Sequence, residues 1–288
     1  MPLKLIDTHC HIHEIEEALT PVHHKWSNDG VERSAEGVIF DANSVGVVGL
    51  ICIGTSLADS NHAVSFAQQH KGVWATIAIH PHDASKHDLT EVKTVFTNLL
   101  RVVPIKDKIV GVGECGLDYF YGHSGRDSQL AFLRMHLELA QKFDLPLSFH
   151  VRGSQNDPGK DAFSDFWPIF DEYNAIKPLR GVMHSFTDTM LNLSAALERG
   201  LYIGVNGIAT FVKSDDQLKT YRAITNDRLL LETDAPFLTP VPFRGKICEP
   251  KHAAITLEFL ADLRGQTSED LAGFVYENSV QLFGLEVQ

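Results

Sequence analysis

Short apolar runs recur along the chain, and segments with a helical stripe of apolar residues lie between them. The runs predict strands over residues 3–8, 45–53, 73–79, 109–113, 145–149, 179–183, 201–205 and 228–233. The second run is almost continuously apolar, the pattern of a parallel strand covered on both faces. The clearest helix is predicted over 127–143, where Leu130, Leu133, Leu137 and Ala140 share one face. Ser124 and Asp127 stand at its start as a capping pair. Further helices are predicted over 190–199, stopped by Gly200, and over 267–283, opened by Thr267 with Asp270 and stopped by Gly284. Strand and helix alternate eight times, which favours a (β/α)8 TIM barrel over a doubly wound sheet.

One domain spanning 1–288 fits this pattern, with an inserted loop at about 13–44. That stretch carries Glu14, Glu16, Glu17, His23, His24, Lys25 and Trp26. It reads either as a loop over the barrel mouth or as a solvated insertion without a role. At 44% hydrophobic, the 288 residues can bury a large core. The net charge of −12 argues against broad electrostatic attraction of nucleic acid. It leaves room for a nucleic-acid substrate held by local groups and bound cations. The four cysteines (Cys10, Cys52, Cys115, Cys248) form no CxxC pair, so a reducing compartment is expected. No secretory signal and no membrane-length apolar run is seen, and a cytoplasmic location follows as the expectation. Nothing in the sequence specifies an oligomeric state.

In a barrel of this type, chemistry gathers at the C-terminal ends of the strands. His9 and His11 end the first run, two positions apart and so on one face of a strand. Glu114 follows the fourth run, His150 the fifth, His184 the sixth and Asp234 the eighth. Any one of these could simply begin a loop. Four imidazoles and two carboxylates at one end are hard to obtain by chance. The donor set suits zinc, or magnesium or manganese with waters completing the shell. Six ligands exceed what one catalytic ion with an open position uses, so two divalent ions bridged by a carboxylate are expected. Such a pair activates a water for hydrolysis. No glycine-rich phosphate loop follows the first strand, so no nucleotide cofactor is expected.

The motifs D-T-H-C-H, G-E-C-G-L-D, L-S-F-H-V-R, M-H-S-F and L-L-E-T-D-A-P-F-L-T-P-V-P-F-R-G-K resemble the TatD family of metal-dependent deoxyribonucleases, within the amidohydrolase-like barrels. The resemblance runs nearly end to end. It implies that His9, His11 and Asp234 hold one ion, that His150 and His184 hold the other, and that Glu114 bridges. It implies 3′→5′ exonuclease or related phosphodiesterase activity on DNA. The alternative is ester or amide hydrolysis of another substrate, such as a D-aminoacyl-tRNA or a lactone. Asp234 can serve both as ligand and as the base that takes the proton of the attacking water. Glu232 either orients a ligand or is a buried structural carboxylate. His82, in H-P-H, is assigned to substrate phosphate, a loop-capping role being the alternative. Arg152 is assigned to a phosphate oxygen rather than a surface salt bridge. Asp118 is assigned to the substrate or a ligand, or else fixes the loop after strand four. Arg244 and Glu249 read as structural, closing the loop after strand eight. Alternation turns Cys10 away from the ligands and into the barrel wall.

The chain departs from the family pattern at His13, where an Asp is usual, and at Ala78, Phe243 and Cys248. None of these is an expected ligand. They mark a divergent branch and bear on the substrate more than on the chemistry.

Overall fold

A computed structural model of the chain describes residues 3–16, 20–103, 107–153 and 157–286. Glu17, in the long segment after the first strand, lies outside them. The elements run β1 (Leu5–Cys10), α1 (Pro21–Trp26), α2 (Ala35–Ser44), β2 (Val47–Ile53), α3 (Leu57–Gln69), β3 (Val73–Ile77), α4 (Leu89–Val102), β4 (Ile109–Asp118), α5 (Arg126–Phe143), β5 (Leu147–Arg152), α6 (Phe163–Asn174), β6 (Gly181–Met183), α7 (Met190–Glu198), β7 (Tyr202–Val205), α8 (Asp215–Ala223), β8 (Leu229–Leu231), α9 (Ala253–Arg264) and α10 (Ser268–Phe283).

All eight strands pair in parallel, in sequence order. The seam between β8 and β1 is joined by backbone bonds from Asp234 N to His9 O and from His11 N to Ala235 O, both 2.8 Å. Behind it, the buried Asp7 carboxylate accepts Thr233 N at 2.9 Å and the Thr233 hydroxyl at 2.5 Å. The fold is the TIM barrel that the alternating pattern predicts.

The core has two parts. One is the sheath between strands and helices. The other joins Ile6, Ile51, Trp74, Val110, Val182, Tyr202 and Leu230 to Leu282, Phe283 and Leu285. Most of those strand residues lie near strand starts. The end of α10 therefore plugs the N-terminal end of the barrel and leaves the C-terminal mouth for chemistry.

Local sequence starts and stops the helices. Ser34, Ser56, Asp88 and Thr267 accept the backbone N–H three residues on, at 2.8–3.2 Å. Gly265 and Gly284 end α9 and α10 with φ near +64° and +63°. The Ser124 cap fails. Gly125 precedes α5 without a side-chain bond, because the Ser124 hydroxyl donates to His82 O at 2.7 Å and accepts Ser85 N at 3.0 Å.

The segment 13–44 is not a plain loop. It contains a 3-10 turn over Ile12–Ile15, then α1 and α2. Trp26 is buried and donates from its indole to His11 O at 3.0 Å. Arg33 ties the segment to Glu249 at 3.0 Å. Among the described residues, no helix is long and apolar enough to cross a membrane.

Candidate metal centre

A cleft of about 1020 Å³ opens at the C-terminal mouth of the barrel. His11, Glu114, His150, His184 and Asp234 line it, together with His80, His82 and Arg152. Glu114 and His150 stand within β4 and β5 rather than after them, because both strands run further than their apolar runs. His11 lies just past β1, whose pairing with β2 shifts register after Asp7. Gly116 has φ +149°, and a side chain there would meet His150 O at 1.8 Å. Glycine alone lets β4 and β5 run side by side past the site.

The carboxylate of Glu114 is the hub. Its Oε1 lies 2.7 Å from His150 Nδ1, 3.5 Å from His80 Nε2 and 3.8 Å from His184 Nε2. Its Oε2 lies 3.4 Å from His9 Nε2. Asp234 Oδ1 is 3.6 Å from His9 Nε2 and 3.5 Å from His11 Nε2. Asp234 adopts φ +62°, a conformation an aspartate tolerates, and the turn is closed by Phe237 N on Asp234 O at 2.8 Å. His9 and His184 stack with centroids 3.4 Å apart. Ligand atoms of His9, His11 and Glu114 converge within one ion's reach, as do those of His9, His184 and Asp234.

The donor set fits divalent cations. His9 is fully buried, and neither ring nitrogen has a hydrogen-bond partner. Leaving a buried polar group so costs about 1–3 kcal/mol. A cation among His9, Glu114 and Asp234 would relieve that cost at Nε2, the nitrogen that faces both carboxylates. Burial pulls the His9 imidazole below its ordinary range, with His184 adding to the effect, so the neutral ring has a lone pair to offer. Burial alone would raise Glu114, but His80, His184 and His150 hold it ionised, well below the usual carboxylate range. Asp234 is likewise held low against burial, chiefly by its bond to His11.

Two histidines are oriented from behind by carboxylates. His150 Nε2 lies 2.9 Å from Asp118 Oδ2, which turns Nδ1 towards Glu114. His184 Nδ1 lies 3.0 Å from Glu232 Oε1, which turns Nε2 towards the site. This arrangement resembles the carboxylate–histidine pairing found behind metal ligands, and the same Glu232 oxygen accepts Ser185 N at 2.6 Å as a buried structural carboxylate. Gly204 makes the room: a side chain there would meet Glu232 Oε2 at 2.3 Å. Burial would lower both rings, but the carboxylates beside them raise His150 to about 9 and His184 to about 10. In each ring one of the two protons faces the space that a cation would occupy.

Asp118 is fully buried, and its bonds run to His150 and to the loop after β4. Its Oδ2 also lies 2.9 Å from His82 Nε2, and its Oδ1 accepts Phe120 N and Tyr121 N at 3.0 and 2.9 Å. Burial opposes its ionisation, but bonds from His150 and His82 hold it far below the usual range. His82 lines the cleft while leaning on that carboxylate. Arg152 is exposed at the wall, with its guanidinium 4.5 Å from the Phe120 ring and 4.8 Å from the Tyr121 ring.

Sequence reasoning gives His80 no role, although it follows β3 just as the other ligands follow or end their strands. Its Nδ1 accepts His82 N at 3.2 Å, which puts the proton of the neutral ring on Nε2, facing Glu114. In that form His80 donates towards Glu114, and its ring also lies within one ion's reach of Glu114 and His150. The departure at His13 also finds a reason. Its Nε2 meets Asp59 Oδ1 at 2.8 Å, and Asp59 Oδ2 accepts Thr55 N and the Thr55 hydroxyl, both at 2.7 Å. This ties the segment after β1 to α3. All four cysteines are free and buried. Arg244 lies over the Phe211 ring at 3.7 Å, and Glu249 accepts a hydrogen bond from Arg33.

Residues 6–284 match the family model of TatD-related DNases. The chain is 30% identical to an uncharacterised metal-dependent hydrolase, YabD, of Bacillus subtilis (strain 168), over 97% of this chain and 98% of that one. It is 31% identical to the 3′-5′ ssDNA/RNA exonuclease TatD of Citrobacter rodentium (strain ICC168), over 87% and 92% of the two chains. The crystal structure of YJJV, a TatD homologue from Escherichia coli K12, superposes with a TM-score of 0.81 at 25% identity, over 99% of this chain and all of that one. With a metal-ready cleft at the mouth of a TIM barrel and this match from end to end, the chain belongs to the TatD family of metal-dependent hydrolases.

Proposed function

We propose that the whole chain is one catalytic domain that cleaves phosphodiester bonds of DNA from the 3′ end, with two divalent cations at the barrel mouth. The observation that carries this reading is His9, buried with both ring nitrogens unpartnered between Glu114 and Asp234. His9, His11 and Asp234 would hold one ion, His150 and His184 the other, and Glu114 would be shared. Bound there, zinc, magnesium or manganese would polarise a phosphoryl oxygen and bring the pKa of a water towards neutrality. Asp234 is held ionised and is the group that accepts the proton of the attacking water. The Nε2–H of His80 points into the same space and donates towards a phosphoryl oxygen or Glu114. Asp118 and Glu232 keep His150 and His184 from turning. Arg152 and His82, on the cleft wall, meet the phosphate.

A single-stranded oligonucleotide labelled at its 3′ end tests this reading. Labelled nucleotide should be released with Mg²⁺, Mn²⁺ or Zn²⁺. No release with any of them, beside hydrolysis of a simple carboxylic ester, would replace the nuclease reading with an esterase.

Arg152 gives a second expected result. Arg152→Gln should raise KM for an oligonucleotide by about 10-fold with kcat nearly unchanged, and should reduce the dependence of binding on log salt by about one unit. An unchanged salt dependence would remove Arg152 from the phosphate.

A further inference from the structure

Phe120 and Tyr121 are large aromatic residues left 44% and 51% exposed, side by side on the cleft wall. Their rings pack edge to face, 4.9 Å apart. The exposed His123 ring stacks on Tyr121 at 5.6 Å, nearly parallel. Arg152 lies over both Phe120 and Tyr121. The loop is rigid from beneath. Tyr119 is buried, with its hydroxyl on Asp165 at 2.6 Å, and Tyr119 N donates to Arg152 O at 2.9 Å. Asp118 holds the Phe120 and Tyr121 amides with one oxygen and the His82 and His150 rings with the other. One carboxylate thus sets the aromatic pair in register with the hydrolytic centre.

We propose that Phe120 and Tyr121 form a stacking platform for an unpaired nucleobase, and that Arg152, held across both rings, takes an adjoining phosphate. The inference rests on the nucleic-acid reading above and extends it to how the strand is gripped. A net charge of −12 weakens broad electrostatic attraction of a phosphate backbone. Aromatic faces supply a grip that needs no positive charge and accepts any base. A base inside a duplex is already stacked on its neighbours, so the platform selects frayed ends and single strands.

The test uses the metal-loaded protein and oligonucleotides with phosphorothioate linkages that resist cleavage. One series is intact, and another carries an abasic nucleotide at successive positions from the 3′ end. At one position, loss of the base should weaken wild-type binding by about 5- to 100-fold, the size of a base–aromatic stack. The double variant Phe120→Leu, Tyr121→Leu should bind the intact and abasic strands alike, at the weaker level. Both residues are exposed, so the variant should fold; its melting temperature checks this. Equal weakening of both strands by the variant, or no abasic penalty in wild type, overturns the platform. Cleavage of ordinary DNA is measured in parallel. Base-dependent binding lost in the variant, without cleavage by wild type, sustains the platform and refutes the nuclease reading. Cleavage without base dependence does the reverse, and absence of both binding and cleavage overturns both.

Discussion

Glu114→Gln is expected to lower hydrolysis by about 10³-fold or more and to leave the barrel folded. The substitution preserves shape and removes one negative charge from the hub. That charge faces His9, His80, His150 and His184 at 2.7–3.8 Å. An amide would present an N–H₂ donor where rings must offer lone pairs to cations, and it can no longer be shared between two of them. Metal content should fall with the activity. The measurements are kcat on a labelled oligonucleotide, bound metal per chain and the far-ultraviolet circular dichroism spectrum. Full metal content with wild-type kcat would dismiss Glu114 as the bridge.

Chelation should produce an equally complete loss of activity, together with a loss of stability. Cation binding stabilises the folded state by about 4 kcal/mol per site at a thousand times Kd. At about 2 °C per kcal/mol for a chain of this size, stripping one ion should lower the melting temperature by roughly 8 °C. Manganese or zinc should restore both properties. Binding must displace protons from His150 and His184, whose carboxylate neighbours raise them to about 9 and about 10 in the cation-free site. Cation affinity should therefore weaken as pH falls, with proton release detectable by calorimetry in buffers of different ionisation enthalpy. Full activity and an unshifted melting temperature after exhaustive chelation would refute a metal-dependent site here.

The barrel was legible because parallel strands buried on both faces are written as short apolar runs, and helices as stripes with caps. The residues that gather at the barrel mouth were legible for the same reason: His9, Glu114, His150, His184 and Asp234 each interrupt or end such a run. Ring orientation was not. Nothing near His150 in sequence says that Asp118 turns it, because the pairing arises only when β4 and β5 lie side by side in register. Exposure was not legible for Asp118 either; a carboxylate following Gly116-Leu117 looks like a loop residue until β4 is seen to run on through it. His80 needed its hydrogen bond to His82 before its proton could be placed. The pairing of His13 with Asp59 spans the long segment and α3, so a reading of local pattern sees only a missing aspartate. Phe120 and Tyr121 look like ordinary aromatics until the structure leaves them uncovered.

The seam between β8 and β1 joins the last strand of the barrel to the first. Thr233 N meets Asp7 across 226 positions, and Asp234 N meets His9 O beside it. The donors His9 and His11 are made first, and their partner Asp234 is among the last residues of the barrel to leave the ribosome. A nascent chain therefore carries His9 and His11 long before Asp234, and the cluster of the three forms only when β8 closes against β1.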